Sequence, residues 1–138
     1  MIQRIQSVYL FMALLALGGL FSRLPLITLN GSAANDTLHV IEQLFIGLSA
    51  FVTLFSIFLY ANRKRQMMAV KGAILLMVIA LFAIATDYFS VMGKDVIVQE
   101  LNVDPFVVIG TVALILQILG HRGIAADEKL VRQADRLR

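Results

Sequence analysis

The sequence predicts an all-α membrane protein, a four-helix transmembrane bundle, and three observations support this fold class. First, 59% of the 138 residues are hydrophobic and 15% are charged, whereas soluble domains carry roughly 45–50% apolar and about 25% charged residues. Second, long apolar runs alternate with short polar segments. Third, the cations are concentrated in segments that would share one side of a membrane. The length predicts a single domain, residues 1–138.

The first apolar run predicts a span at about residues 5–22. Counted from Ile5, it is about 18 residues long, within the roughly 17–25 that a transmembrane helix needs. A signal peptide is the alternative, because a cationic start precedes the apolar run. We favour a span, since the run is long and contains no clear A-x-A cleavage site.

The two loops on the far side of the predicted membrane have strand-like patterns. Pro25 ends the first helix, and residues 26–29 then read as a short strand before an Asn-Gly turn. Residues 95–100 alternate and are rich in β-branched side chains. We expect these two segments to pair as a small extracytoplasmic β cap over the bundle.

The second and third spans are predicted at about residues 40–61 and 69–89. Between them lies the cationic hinge, residues 62–66, with the sequence Asn-Arg-Lys-Arg-Gln. Charged side chains are costly in hydrocarbon, so the hinge must lie in water or among lipid headgroups. Because it is too short to cross a membrane, the two spans must form an antiparallel hairpin.

The fourth span is predicted at about residues 103–120, with Pro105 in its first turn, where proline is tolerated. Residues 122–138 form the tail, in which apolar residues recur at helical spacing and Glu128 precedes Arg132 by four residues. We expect a short cytoplasmic amphipathic helix lying on the headgroups. A frayed polar tail is the alternative.

The distribution of cations predicts the orientation. Short loops rich in Lys and Arg stay on the cytoplasmic side, and a cytoplasmic hinge places both termini there as well. Ten of the 12 cations then lie inside, and only Arg23 and Lys94 lie outside. The sequence therefore predicts a multi-pass protein of a bacterial inner membrane, with both termini cytoplasmic.

Small and weakly polar residues share one face of each later span, as close packing of membrane helices requires. This predicted packing seam consists of Ser49, Thr53, Ser56, Ala80, Ala83, Gly110, Ala113 and Gln117. A substrate path along the same faces is the alternative interpretation.

Three ionisable residues lie at the outer ends of the spans, namely Arg23, Glu42 and Asp87. Ionisable groups at membrane depth need partners, so we expect an interfacial salt bridge that fixes the outer rim. The alternative is a site that handles protons or cations.

The residue inventory excludes several chemistries. There are no cysteines, which excludes disulfides, thiolate metal sites and redox CxxC chemistry. The two histidines fall on opposite sides of the predicted membrane, and no motif of a hydrolase, nucleotide-binding or metalloprotease site is found. We expect no catalytic residue, no metal and no cofactor. The basic pI does not indicate nucleic acid, because the cations flank apolar spans and line no groove.

Three segments carry a family resemblance: MIQRIQSVYL at residues 1–10, the cationic hinge, and DEKLVRQADRLR at residues 127–138. Together they resemble an uncharacterised family of small four-span inner-membrane proteins of Bacteroidota. The resemblance implies topology and location but no activity or site. It also indicates that the cytoplasmic segments are the most characteristic surface.

These observations favour a non-catalytic accessory or scaffolding subunit of a membrane complex. A small homo-oligomeric transporter or channel that uses the outer carboxylates is the alternative, and an intramembrane enzyme acting on lipid is the third possibility. We expect contacts with anionic headgroups or with a protein partner, and none with nucleic acid. The predicted contact residues are Arg63, Lys64, Arg65, Arg132, Arg136 and Arg138.

Overall fold

A computed structural model of the chain describes residues 2–21, 36–92 and 105–136, and the side chains of residues 5–20, 40–86 and 105–134. The described part contains four α-helices, which are α1 (Ile2–Phe21), α2 (Asp36–Phe58), α3 (Arg63–Met92) and α4 (Pro105–Arg136). A 3₁₀ turn, Leu59–Ala61, follows α2. All regular secondary structure in these ranges is helical, which confirms the all-α prediction for them. The predicted β cap at residues 26–29 and 95–100 lies outside the described residues.

Three helical segments are long and apolar enough, by length and composition, to cross a membrane. They are Val40–Ala61, Arg63–Thr86 and Pro105–Ala134, and α1 adds a shorter apolar helix, Ile5–Leu20. Large apolar side chains cover the outside of these helices, and Phe51, Phe58 and Phe82 are 65%, 70% and 71% exposed. Exposing apolar surface to water costs about 25 cal/mol of free energy per Å². These features therefore indicate a membrane protein.

The four helices pack as a ring. Each of α1 and α3 packs against both α2 and α4, so α2 and α4 face each other across the centre. The main apolar cluster fills this ring with Leu17, Leu20, Ile46, Met77, Ala80, Ile84 and Ala113. A second cluster, formed by Leu10, Val70 and Ile124, lies nearer the cationic hinge. We call this end of the bundle the hinge end.

The cationic hinge is shorter than predicted, because α3 begins at Arg63 and not near residue 69. Asn62 caps this helix: its side-chain Oδ1 accepts a hydrogen bond from the Arg65 backbone N–H at 3.3 Å. Its carbonyl accepts the first helical bond, from the Gln66 N–H at 2.9 Å. Asparagine is among the best N-cap residues, so α3 begins directly after Asn62, and the three cations occupy its first turn.

The tail also differs from the prediction of a separate surface helix, because α4 runs without a break for 32 residues. At 1.5 Å per residue it is about 48 Å long, which exceeds the hydrocarbon thickness of about 30 Å. Ile124 is fully buried against Leu10 and Val70, and Gln6 Nε2 donates to the Gly123 carbonyl at 2.9 Å. These contacts hold the start of the tail against the bundle. We call residues 121–136 the helical extension.

Candidate functional site

The centre of the bundle contains a polar layer, formed by Ser49 and Thr53 of α2 and Gln117 of α4, all fully buried. Ser49 Oγ donates to the Ala73 carbonyl of α3 at 3.0 Å. Thr53 Oγ1 donates to the Ser49 carbonyl at 2.7 Å, and Ser56 Oγ one turn on donates to the Thr53 carbonyl at 2.7 Å. Each hydroxyl proton is therefore used on a backbone carbonyl.

Gln117 connects the two helices that face each other across the ring. Its Nε2 donates to Ser49 Oγ at 3.1 Å and to Thr53 Oγ1 at 3.0 Å. Since both hydroxyls already donate elsewhere, their oxygens act as acceptors, and this fixes the orientation of the amide. Gln117 Oε1 is buried and accepts no hydrogen bond from the described residues. The polar layer thus links α2, α3 and α4 and leaves one carbonyl oxygen unsatisfied.

This geometry does not activate a nucleophile. An activated serine donates its hydroxyl proton to a general base, whereas Ser49 and Ser56 donate to backbone carbonyls. The layer can hold helices together, because hydrogen bonds between membrane helices contribute about 0.6 kcal/mol each and at most about 1.7.

The remaining residues of the predicted packing seam lie on the inner faces of α3 and α4. Ala80 and Ala113 are fully buried, Gly110 is buried, and Ala83 is half-buried. A Cβ atom at Gly110 would lie 2.7 Å from Leu81 Cδ2. The end of the half-buried Leu81 side chain would therefore have to shift to admit a larger residue at this position.

Of the predicted outer-rim cluster, the structure describes one side chain. Glu42 lies in α2 and is 3% exposed. Arg23 and the side chain of Asp87 lie outside the described residues, so the proposed salt bridge among the three stays a prediction.

Two of the predicted contact cations are engaged in ion pairs. Arg63 Nη2 lies 3.4 Å from Asp127 Oδ2, and its Nη1 donates to the Asp127 carbonyl at 3.5 Å. Arg132 Nε lies 3.0 Å from Glu128 Oε1, the pair that the four-residue spacing indicated. The Arg63–Asp127 pair joins α3 to the helical extension. Sequence reasoning missed it, because no local pattern connects residues so far apart in the chain.

The other contact cations differ from these two. Lys64 and Arg65 are exposed, and within the described part of the chain neither forms an ion pair. The side chains of Arg136 and Arg138 lie outside the described residues. The structure therefore brings Arg63 and Lys64 to one place and engages Arg132 within its own helix.

A cavity of about 560 Å³ opens at the hinge end, and we call it the hinge cleft. It lies between the start of α3 and the helical extension and is lined by Tyr60, Ala61, Asn62, Arg63, Lys64, Glu128 and Val131. A volume of this size falls in the range of roughly 300–1,000 Å³ that is common for ligand pockets. Within the described ranges, no group of three or more His, Asp or Glu side chains could hold a metal ion.

Comparison with models of protein families gives a match over most of the chain. A family model described as a domain of unknown function (DUF4293) covers residues 28–137, more than three quarters of the chain. No curated protein and no solved structure matches. The matched range includes the cationic hinge and nearly all of the characteristic C-terminal segment, and it supports the predicted membership of an uncharacterised family. The chain therefore belongs to the DUF4293 family.

Proposed function

We propose that this protein is a non-catalytic accessory or scaffolding subunit of a membrane complex. The observation that carries the proposal is the polar layer at the centre of the bundle. Its hydroxyl groups are fully buried. Ser49 donates to α3 and Thr53 donates within α2, and both accept hydrogen bonds from Gln117 of α4. A solute path would need a continuous row of free polar groups along the same faces, whereas in the described part of the layer only Gln117 Oε1 lacks a hydrogen bond. The bonded layer favours a rigid bundle that acts through contacts on its outer surface.

The helical extension is the surface that best suits a partner. Helix α4 has 32 residues, which is more than the roughly 20 needed to span a bilayer. Its end exposes Leu130 and Val131, at 51% and 39%, among cations. A mixed apolar and cationic helix is suited to bind another protein or an anionic headgroup surface.

The proposed orientation places the cationic hinge, the helical extension and both termini in the cytoplasm of a bacterium, on the argument of cation distribution. The chain has no cysteine, so single cysteines can report sidedness. We expect Lys129→Cys to react with a membrane-impermeant maleimide only after spheroplasts are permeabilised. Ser32→Cys, in the first outer loop, should react in intact spheroplasts. The reverse pattern would contradict the orientation.

Co-purification tests the subunit role. We expect a defined partner protein to co-purify in gentle detergent at fixed stoichiometry, as measured by mass spectrometry. Leu130→Asp should abolish this association, because it places a charge on the exposed apolar face. Lys129→Gln, a neighbouring exposed position, serves as the matched control and should retain the partner. A wild-type chain that purifies only with copies of itself would contradict the proposal.

A small transporter or channel is the second candidate, and Glu42 is the observation that favours it. This carboxyl group is 3% exposed within a candidate span, and an ionisable residue there is often functional. Proton-dependent flux in proteoliposomes of the purified homo-oligomer, lost in Glu42→Gln, would support this candidate over the subunit role.

A further inference from the structure

The hinge cleft carries a net positive charge after its ion pairs are counted. Arg63 is neutralised by Asp127 at 3.4 Å, and Glu128 is neutralised by Arg132 at 3.0 Å. Lys64 lines the cleft and has no ion pair in the described ranges. The acids beside the cleft are thus already engaged, and the ammonium group of Lys64 is the charge left to attract a ligand.

The position of the cleft indicates what kind of anion reaches it. The candidate span Val40–Ala61 ends at a residue that lines the cleft. Tyr60, just before it, is 71% exposed, and exposed tyrosines are typical of the level of the lipid headgroups. The cleft therefore opens where a hydrocarbon-spanning helix gives way to charged residues, which is the depth of phospholipid phosphates.

The lining matches a headgroup in chemistry as well. Lys64 and Asn62 supply hydrogen-bond donors, whereas the ring of Tyr60 and the side chain of Val131 supply apolar surface on the other parts of the wall. An anionic phospholipid presents the same combination, a charged phosphate beside a glycerol and the first methylenes of its acyl chains. A free phosphate ion would leave the apolar part of the wall without a contact.

We propose that the hinge cleft is a binding site for an anionic phospholipid, with Lys64 as the residue that pairs with the phosphate. The inference rests on the membrane location in the proposed function but requires no protein partner. It divides the predicted contact cations into two groups. Arg63 joins the two walls of the cleft through Asp127, whereas Arg132 pairs with Glu128 inside the helical extension. Lys64 binds the lipid.

A lipid titration of the purified chain in neutral detergent tests this site. Native mass spectrometry and thermal unfolding are followed while phosphatidylglycerol, phosphatidylcholine or inorganic phosphate is added. We expect one phosphatidylglycerol to bind in preference to phosphatidylcholine. Lys64→Gln should weaken that binding about tenfold, which corresponds to the loss of one charge-assisted hydrogen bond. Lys64→Arg should restore most of it.

Arg65→Gln is the matched control, because it removes the same charge from the next residue, which is exposed and does not line the cleft. We expect its affinity to stay within about twofold of wild type, as for a rim charge that is screened by solvent. Equal losses in the two variants would show diffuse attraction and overturn the site. Inorganic phosphate that protects as well as the lipid would overturn the lipid assignment, as would equal binding of phosphatidylcholine.

Two further measurements distinguish loss of the lipid site from loss of the fold and from failure of the subunit role. Lys64→Gln should unfold at the wild-type temperature in phosphatidylcholine, because this exposed side chain makes no ion pair in the described ranges; a lower temperature would assign it a structural role and contradict the site. Since the titration uses the chain alone, its failure would contradict the lipid site only. Absence of a co-purifying partner would contradict the subunit role only.

Discussion

Gly120→Leu is expected to force α1 away from α4 and to lower stability by about 3 kcal/mol or more, at or above the upper end of the usual range for overpacking. A Cβ atom at Gly120 would lie 2.8 Å from Leu10 Cδ2 and 3.1 Å from Leu10 Cγ. Leu10 is fully buried, so it cannot turn outward to make room. A leucine adds three further carbons to this contact.

The smaller change Gly120→Ala separates two opposing effects. Alanine is the better helix former by about 0.8–1.0 kcal/mol, whereas overpacking of a well-filled core costs about 1–3 kcal/mol. Because the branch carbon of Leu10 must move and not only its methyl groups, we expect overpacking to dominate. The difference between the two terms is a net loss of up to about 2 kcal/mol.

Thermal or denaturant unfolding in detergent measures both variants, and Gly72 provides the matched control. A Cβ atom at Gly72 would meet none of the described residues within 4 Å, so Gly72→Ala should be neutral or stabilising. The double variant Leu10→Ala with Gly120→Ala should recover stability relative to the sum of the two single losses, since the clashing atoms are gone. If Gly120 and Gly72 variants behave alike, the close α1–α4 contact is not formed.

The glycines illustrate what sequence can and cannot predict. Gly72 has open space around it, whereas Gly110 and Gly120 are closely approached by side chains of other helices. Nothing in the local sequence distinguishes them, because a close approach depends on a neighbour that is distant in the chain. The helical periodicity did place Gly110 on an inner face, and the structure finds it buried. It did not indicate which partner helix would touch it.

The boundaries of the helices show the same limit. The apolar runs predicted four helices, and the described part of the chain has four. Charged residues were taken to end each span. The hinge was therefore predicted to be longer than it is, and the tail was predicted to form a helix separate from the fourth span. In the structure Asn62 starts α3 by capping it, and Ile124 continues α4 by packing on α1 and α3. Capping is local and could have been recognised; the packing of Ile124 is tertiary and could not.

The second large effect is expected at the centre of the polar layer. Gln117→Ala should lower stability by about 2–3 kcal/mol. It leaves a cavity in a core position, at about 2–5 kcal/mol, and removes two hydrogen bonds worth about 0.6 kcal/mol each, while removal of the unsatisfied Oε1 offsets about 1–3 kcal/mol. Gln117 is fully buried, so the surrounding helices can collapse onto the gap only in part. Unfolding in detergent or bicelles measures the loss.

Gln117→Leu is the informative comparison, because it keeps the volume and removes only the polarity. The two hydrogen bonds to Ser49 and Thr53 are lost. In return the substitution removes the buried Oε1, which accepts no hydrogen bond within the described ranges. Burial of such an unsatisfied oxygen costs about 1–3 kcal/mol of folding free energy, and the leucine variant does not incur this cost. Ser49 and Thr53 keep their own bonds to backbone carbonyls. We therefore expect Gln117→Leu to lie within about 1 kcal/mol of wild type.

The ranking of these two variants distinguishes a packed core from a polar path. If the layer serves packing, Gln117→Leu is tolerated, and its double-mutant cycle with Ser49→Ala gives a coupling of about 0.6 kcal/mol. If Gln117→Leu is as damaging as Gln117→Ala, the amide matters for its polarity, and packing is an insufficient account of the layer. If the Gln117→Leu chain is stable and still assembles with its partner, the polar layer serves only to pack the helices. The residues that contact the partner would then be sought at the hinge end.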